Sequence, residues 1–65
     1  MSPAHWLLLD NLHRGWPYTT GLSVLTACDA WLEAWEAGHV TGYGLTPAGL
    51  AALLAHPEPV RDYQV

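Results

Sequence analysis

The segment spanning residues 20–38 carries the longest uninterrupted helical pattern in the chain. At about 100° per residue, its large apolar side chains share one side of a helix. These are Val24, Leu25, Cys28, Trp31, Leu32 and Trp35. Three carboxylates, Asp29, Glu33 and Glu36, follow one another at i, i+4 and i+7 beside this apolar arc. We therefore predict a central helix that buries its apolar side, with Cys28 as a small buried side chain, and exposes its acidic side.

Local signals predict where this helix begins and ends. Thr19 or Thr20 is the expected N-cap, because a hydroxyl there accepts a hydrogen bond from the first turn. Gly38 is the expected end, since glycine tolerates the backbone conformation that closes helices. Trp16 and Tyr18, in the connector before the helix, are expected to cover the edge of the core.

The cap-plus-proline pattern occurs twice more in the chain. Ser2-Pro3 predicts a first helix over residues 3–13 that ends near Gly15, and Thr46-Pro47 predicts a third helix that stops before Pro57. The inner sides are expected to consist of leucines, namely Leu8, Leu9 and Leu12 in the first helix and Leu50, Leu53 and Leu54 in the third.

A short hairpin is predicted between the second and third helices. The pieces 39–41 and 43–45 favour strands, and Gly42 between them permits a tight turn. The predicted class is therefore mostly α with a small two-stranded β-hairpin, in the order α-α-β-β-α. We expect a single compact domain over residues 1–56 and an extended tail over residues 57–65. Gly49 in the third helix is expected to permit a close approach.

Size restricts how such a chain is stabilised. A chain of 65 residues buries a small fraction of its surface, and Cys28 is its only cysteine, so an internal disulfide is excluded. Four tryptophans exceed what a small core needs, and at least one is expected at an interface, including that of a possible homodimer.

Charge argues against polyanionic partners. The chain has two Arg, no Lys and six Asp or Glu, for a net charge of −4. Binding to nucleic acid or to an anionic membrane requires cations that neutralise phosphates. The longest apolar run, from Trp6 to Leu9, is far shorter than a membrane-spanning helix. We expect a soluble, cytoplasmic protein without a signal peptide.

No motif predicts an enzyme, a cofactor or a metal site. The four histidines, at positions 5, 13, 39 and 56, match no common ligand spacing. There is no nucleophile elbow and no phosphate-binding glycine loop.

Residues 32–54 resemble the end of a winged helix-turn-helix domain. The phrases LEAWEAGHV (32–40) and YGLTPAGLAAL (43–53) are similar to the end of a recognition helix followed by the wing and the "YxLTPAGxxxL" opening of the next helix. Bacterial regulators of this class carry such phrases. The resemblance implies a winged-helix architecture and, as an alternative function, a transcription regulator that binds DNA as a dimer.

The acidic stripe and the excess of tryptophan favour a protein-binding module whose partner has a basic surface. Its size and charge are similar to those of phage or mobile-element inhibitors of host machinery, such as the anti-CRISPR proteins, some of which mimic nucleic acid. The candidate contact residues are Asp29, Glu33, Glu36, Asp10, Trp16 and Trp31. A solvated acidic face that maintains solubility is the simpler interpretation, and a structural homodimer is a third.

Overall fold

The computed structural model describes residues 1–57 and 60. Within them lie α1 (Pro3–His13), α2 (Val24–Glu36), β1 (Val40–Thr41), β2 (Gly44–Leu45) and α3 (Pro47–Leu54). This order and the mostly helical composition confirm the predicted fold class. The strands pair antiparallel, with Val40 opposite Leu45, and the turn falls at residues 42–43 as expected.

Side-chain caps start the helices. The Ser2 hydroxyl accepts a hydrogen bond from the His5 amide at 3.3 Å, and Thr46 accepts one from Gly49 at 3.0 Å. Both predicted caps are thereby confirmed. The predicted cap of the central helix is wrong, because Ser23 accepts the bond from Thr26 at 3.2 Å and the helix begins at Val24.

The late start of α2 follows from the turns before it. Thr20 donates its amide to the carbonyl of Pro17 at 3.1 Å, and Leu22 donates to Thr19 at 2.8 Å. Gly21 then adopts a φ of 78°, a left-handed conformation that a helix cannot continue through. Residues 14–23 are therefore a turn-rich connector between α1 and α2.

The core lies between α1, the buried side of α2, the hairpin and α3. Its buried apolar side chains are Ala4, Leu7, Leu8, Leu9, Ala30, Ala34, Val40, Leu53 and Val60. Leu8 and Leu9 are fully buried, as predicted, and Leu12 packs half-buried against them. In α3 the prediction holds for Leu53 and fails for Leu54, which is 69% exposed at the last helical position.

The burial predicted for the central helix is wrong for every large apolar side chain except Trp31, which is half-buried and packs on the core. α2 turns Ala27, Ala30 and Ala34 into the protein. Its other large apolar side chains face outward, with exposures of 70% for Val24, 79% for Leu25, 60% for Leu32 and 53% for Trp35, and Cys28 is exposed as well. The physical reason is space: alanine methyls let the helix backbone approach the leucines of α1 closely, and a close-packed core leaves no room for larger groups there.

The predicted tail, residues 57–65, falls outside the described residues except for Pro57 and Val60. Val60 is 9% exposed and packs on the core.

Gly49 lies where α3 crosses the chain entering the hairpin. A Cβ built on Gly49 would collide with the carbonyl oxygen of His39 and lie 3.0 Å from its Cα. The close approach expected at this glycine is confirmed, with the His39 backbone as the neighbour.

We expect Gly49→Ala to lower the free energy of unfolding by about 1–3 kcal/mol, the usual range for overpacking. Helix propensity alone favours Ala by about 1 kcal/mol, so the sign of the measured change shows which effect dominates. Urea denaturation measures it. Gly42→Ala is the control, since a Cβ there meets nothing within 4 Å. A Gly49→Ala protein more stable than the wild type by the full propensity gain would refute the collision.

Candidate functional site

A series of polar contacts, buried between His5 and His39 and partly exposed at Glu33, joins α2, α1 and the start of the hairpin. The Nδ1 atom of His5 lies 2.9 Å from Oε1 of Glu33, and its Nε2 lies 2.8 Å from Nδ1 of His39. His5 is fully buried, and His39 is nearly so. The amide of Ser2 donates to the same Oε1 of Glu33 at 3.0 Å. These hydrogen bonds therefore connect the N-terminus, α1, α2 and the segment that enters the hairpin.

The hydrogen-bond acceptors determine which ring nitrogens of His5 and His39 carry protons. An ionised carboxylate only accepts hydrogen bonds, so Nδ1 of His5 carries a proton that it donates to Glu33. In neutral His5 the Nε2 atom is then an acceptor, and His39 donates to it from Nδ1. Both ring nitrogens of His5 are occupied in this way, which leaves neither to bind a metal. Among residues 1–57 and 60, no group of three or more His, Cys, Asp or Glu side chains is arranged to hold an ion.

Two pKa shifts accompany this arrangement. Burial lowers the pKa of His5 below its ordinary 6.5, and the neighbouring His39 acts in the same direction. Glu33 opposes this shift by stabilising the imidazolium, but the effect of burial is larger. The hydrogen bond from the Ser2 amide lowers the pKa of Glu33 below its ordinary 4.5, since it stabilises the carboxylate.

The candidate carboxylates fall into two groups. Glu33 is engaged by His5 and Ser2, and Asp10 accepts a hydrogen bond from Nε of Arg14 at 2.9 Å, the pair expected from their spacing. Asp29 and Glu36 are exposed and form no ion pair with any other described residue. Two of the three predicted carboxylates on the acidic side of α2 are therefore accessible at the surface.

The outer face of α2 brings together four of the exposed large apolar side chains of residues 1–57 and 60. We define it by its exposed large apolar side chains, Val24, Leu25, Cys28, Leu32 and Trp35. Contiguous exposed apolar surface on a small protein commonly marks an interaction site. Asp29 lies one helical turn from Leu25 and from Leu32, and Glu36 lies one turn beyond Leu32, so both carboxylates border this face.

A hollow opens at one edge of the outer face. Tyr18, Cys28, Trp31 and Leu32 line it, almost entirely with apolar atoms, around a volume of about 470 Å³. The ring of Tyr18 packs against that of Trp31 with 5.2 Å between centroids. Trp31 is half-buried and packs on the core from the other side. Of the two candidate tryptophans, Trp31 therefore lines the hollow at the edge of the outer face of α2.

Asn11 fixes the Tyr18 wall of this hollow. Asn11 is fully buried in α1, and its Nδ2 donates to the carbonyls of Tyr18 at 3.0 Å and Thr20 at 2.8 Å. The connector is thereby held against α1 close to α2. Trp16 lies elsewhere, 44% exposed, with the guanidinium of Arg14 5.1 Å from its ring centroid.

Sequence reasoning missed both the polar chain and the hollow. His5, Glu33 and His39 are separated by 28 and 34 residues in their contacts, and no spacing rule connects them. One signal was available. His5 lies three residues after the capping serine and close to the leucines of the inner side of α1, a position that indicates a buried histidine in need of polar partners.

Comparison of the chain with protein-family models, with curated proteins and with solved structures gives no match. Among the described helices, none has the length and apolar character needed to traverse a lipid bilayer.

We expect the free energy of unfolding to fall as pH drops below 6.5, because unfolded His5 takes up a proton that the folded protein disfavours. This stabilising contribution is complete above 6.5 and is lost as pH falls through the lowered folded-state pKa. Glu33 adds a second loss of stability below pH 4.5, because its folded-state pKa is also lowered.

Urea denaturation between pH 4.5 and pH 6.5 isolates the histidine effect. His5→Asn should flatten the slope and His13→Asn, at the exposed end of α1, should preserve it; equal slopes in both variants would contradict the assignment.

We expect Glu33→Ala to destabilise the fold by about 1–3 kcal/mol, since it leaves the buried Nδ1–H of His5 without its acceptor. Glu36→Ala, three residues along the same helix, is the matched control and should change stability by less than about 0.5 kcal/mol. Thermal or urea denaturation compares them. Equal losses in the two variants would show that the His5 contact contributes nothing.

Proposed function

We propose that this protein is a small protein-binding module and that the outer face of α2 is its binding surface. The observation that supports the proposal is the exposure of Leu25, Leu32 and Trp35 on a helix that also offers Asp29 and Glu36 at the border of that face. Apolar side chains at the centre of an interface supply most of its affinity, and charges at its edge guide the encounter.

The shape and charge of the face suggest the chemistry of its partner. α2 has 13 residues, so the face is about 20 Å long, a length that suits pairing with another helix. The border formed by Asp29 and Glu36 is complementary to Lys or Arg. We therefore propose a partner that presents an amphipathic helix with basic residues along one edge.

A second copy of the chain fits this face less well. A two-fold axis that pairs α2 antiparallel with itself brings the same edges of both helices together. Asp29 of one copy then faces Glu36 of the other, and like charges at such positions oppose association. The net charge of −4 on each copy adds to this repulsion.

A phage or mobile-element inhibitor of host machinery, of the anti-CRISPR kind, is the biological setting that we propose from size and charge. Mimicry of nucleic acid would rest mainly on Asp29 and Glu36, because Oε1 of Glu33 is already bound by His5 and by the Ser2 amide. The proposed binding therefore rests more on apolar contact than on mimicry of phosphates.

DNA binding by a winged-helix regulator is the alternative, favoured by the hairpin between α2 and α3. A gel shift at low salt separates the two functions. Binding to duplex DNA that weakens steeply with added salt would favour the alternative, because release of counterions produces that dependence.

The binding surface is tested with a displayed library of helical peptides in which the surface positions are randomised. We expect selected peptides to combine bulky apolar residues at helical spacing with Lys or Arg along one edge. Leu32→Asp should weaken binding of a selected peptide by about 30-fold or more, the loss typical of a central interface residue. Asp29→Asn combined with Glu36→Gln should slow association and reduce its dependence on salt.

The matched control for Leu32→Asp is Leu54→Asp, which makes the same change at an exposed leucine of α3. It should leave peptide affinity unchanged. Selection of neutral or acidic peptides, or equal losses from both aspartate variants, would refute the proposed surface. Sedimentation at two concentrations tests self-association, and a dimer abolished by Leu32→Asp would instead identify a second copy as the occupant.

A further inference from the structure

We infer that the hollow beside α2 is an anchor pocket that receives one bulky apolar side chain, aromatic or branched, from the partner. This inference deepens the proposed function and rests on it for the identity of the partner. The hollow itself is a property of this chain, and its capacity to bind can be tested without a partner.

The volume and lining of the hollow suit such an occupant. The hollow is open to solvent on one side, and its volume of about 470 Å³ is more than sufficient for one large side chain. Its lining is almost entirely apolar, so a charged or strongly polar group would lose water there without gaining hydrogen bonds. An aromatic or branched aliphatic side chain loses no such bonds and gains contact with the rings of Tyr18 and Trp31.

One wall of the hollow is held by contacts within the protein. Asn11 holds the backbone of Tyr18, the Tyr18 ring packs on Trp31, and Trp31 packs on the core. The opposite wall is Leu32 on α2 itself. A preformed pocket binds with a smaller loss of conformational entropy than one that must be ordered on binding. Residues that fill such pockets are the usual centres of binding energy.

The position of the hollow relative to the carboxylates of Asp29 and Glu36 determines how a partner helix would be oriented. Leu32 separates the hollow from the border of the outer face, where Asp29 and Glu36 lie one turn to either side of it along the helix. A partner helix that places its anchor against Tyr18 and Trp31 therefore directs its basic edge across Leu32 toward these carboxylates. The partner sequence is expected to carry Lys or Arg on the side of its helix next to the anchor.

The first experiment uses indole as the probe and the full chain labelled for NMR. We expect saturable shifts confined to Tyr18, Cys28, Trp31 and Leu32, and no comparable change at Val24 or Leu25, which lie on the same helix face outside the hollow. Cys28→Trp should abolish the saturable shifts, because its side chain would occupy the hollow. Shifts spread evenly over the outer face, or the absence of saturation, would overturn the inference.

The second experiment measures the peptide selected against the outer face. Cys28→Trp should weaken its binding by about 30-fold or more, whereas Cys28→Ser, which preserves the size of the side chain, should stay within about threefold of the wild type. Because Cys28 is exposed, the larger side chain does not enter the core, and circular dichroism verifies the helices. Equal affinity in the Trp and Ser variants would overturn the anchor.

The two proposals fail in different ways. If Leu32→Asp abolishes peptide binding while Cys28→Trp preserves it and indole shows no site, the protein-binding function stands and the anchor pocket is rejected. If indole saturates the hollow but no peptide binds the outer face, the pocket stands and the protein-binding function is rejected.

Discussion

The close contact between α1 and α2 is the constraint on which the rest of the structure depends. Ala27, Ala30 and Ala34 are nearly or fully buried, and small side chains let two helix backbones approach closely. Once the alanines face inward, helical geometry turns Val24, Leu25, Leu32 and Trp35 away from the core and leaves Trp31 at its edge, half-buried. The burial of Ala30 and Ala34 in the core and the exposure of the outer face are thus two results of one orientation of α2.

The polar chain from Glu33 to His5 and His39 holds α2 in this rotation. A turn of the helix by about 100° would bury its large side chains, but it would also remove the Glu33 carboxylate from His5. His5 is fully buried, and a buried polar group that loses its partner is costly. Steric fit and hydrogen bonding therefore select the same orientation, and each makes the alternative less favourable.

The parts of the fold that depend on neighbouring residues could be predicted, and the rotation of α2 could not. Ser2 and Thr46 cap the helices they precede, and the hairpin turns at Gly42, because these signals act within a few residues. The helical period shows which side chains share a face, but Ala30 and Leu32 lie on two adjacent apolar faces of α2. Which face is buried depends on the space that α1 leaves. The partners of His5, Glu33 and His39, also lie far from it in sequence, so local patterns could not identify them. The border carboxylates Asp29 and Glu36 were found from spacing, whereas the hollow needed the position of Tyr18.

A chain of 65 residues gains little stability from its own core, and that gives the exposed face of α2 a thermodynamic meaning. Covering Leu25, Leu32 and Trp35 would add apolar burial that the chain cannot achieve alone. A partner that binds only the folded state shifts the folding equilibrium toward it, so the proposed function would link binding to stability. Asp29 and Glu36, with the net charge of −4, oppose association of this face with other acidic surfaces, including that of a second copy. In the proposed function, the apolar residues would favour a complex and the carboxylates would restrict which partners form it.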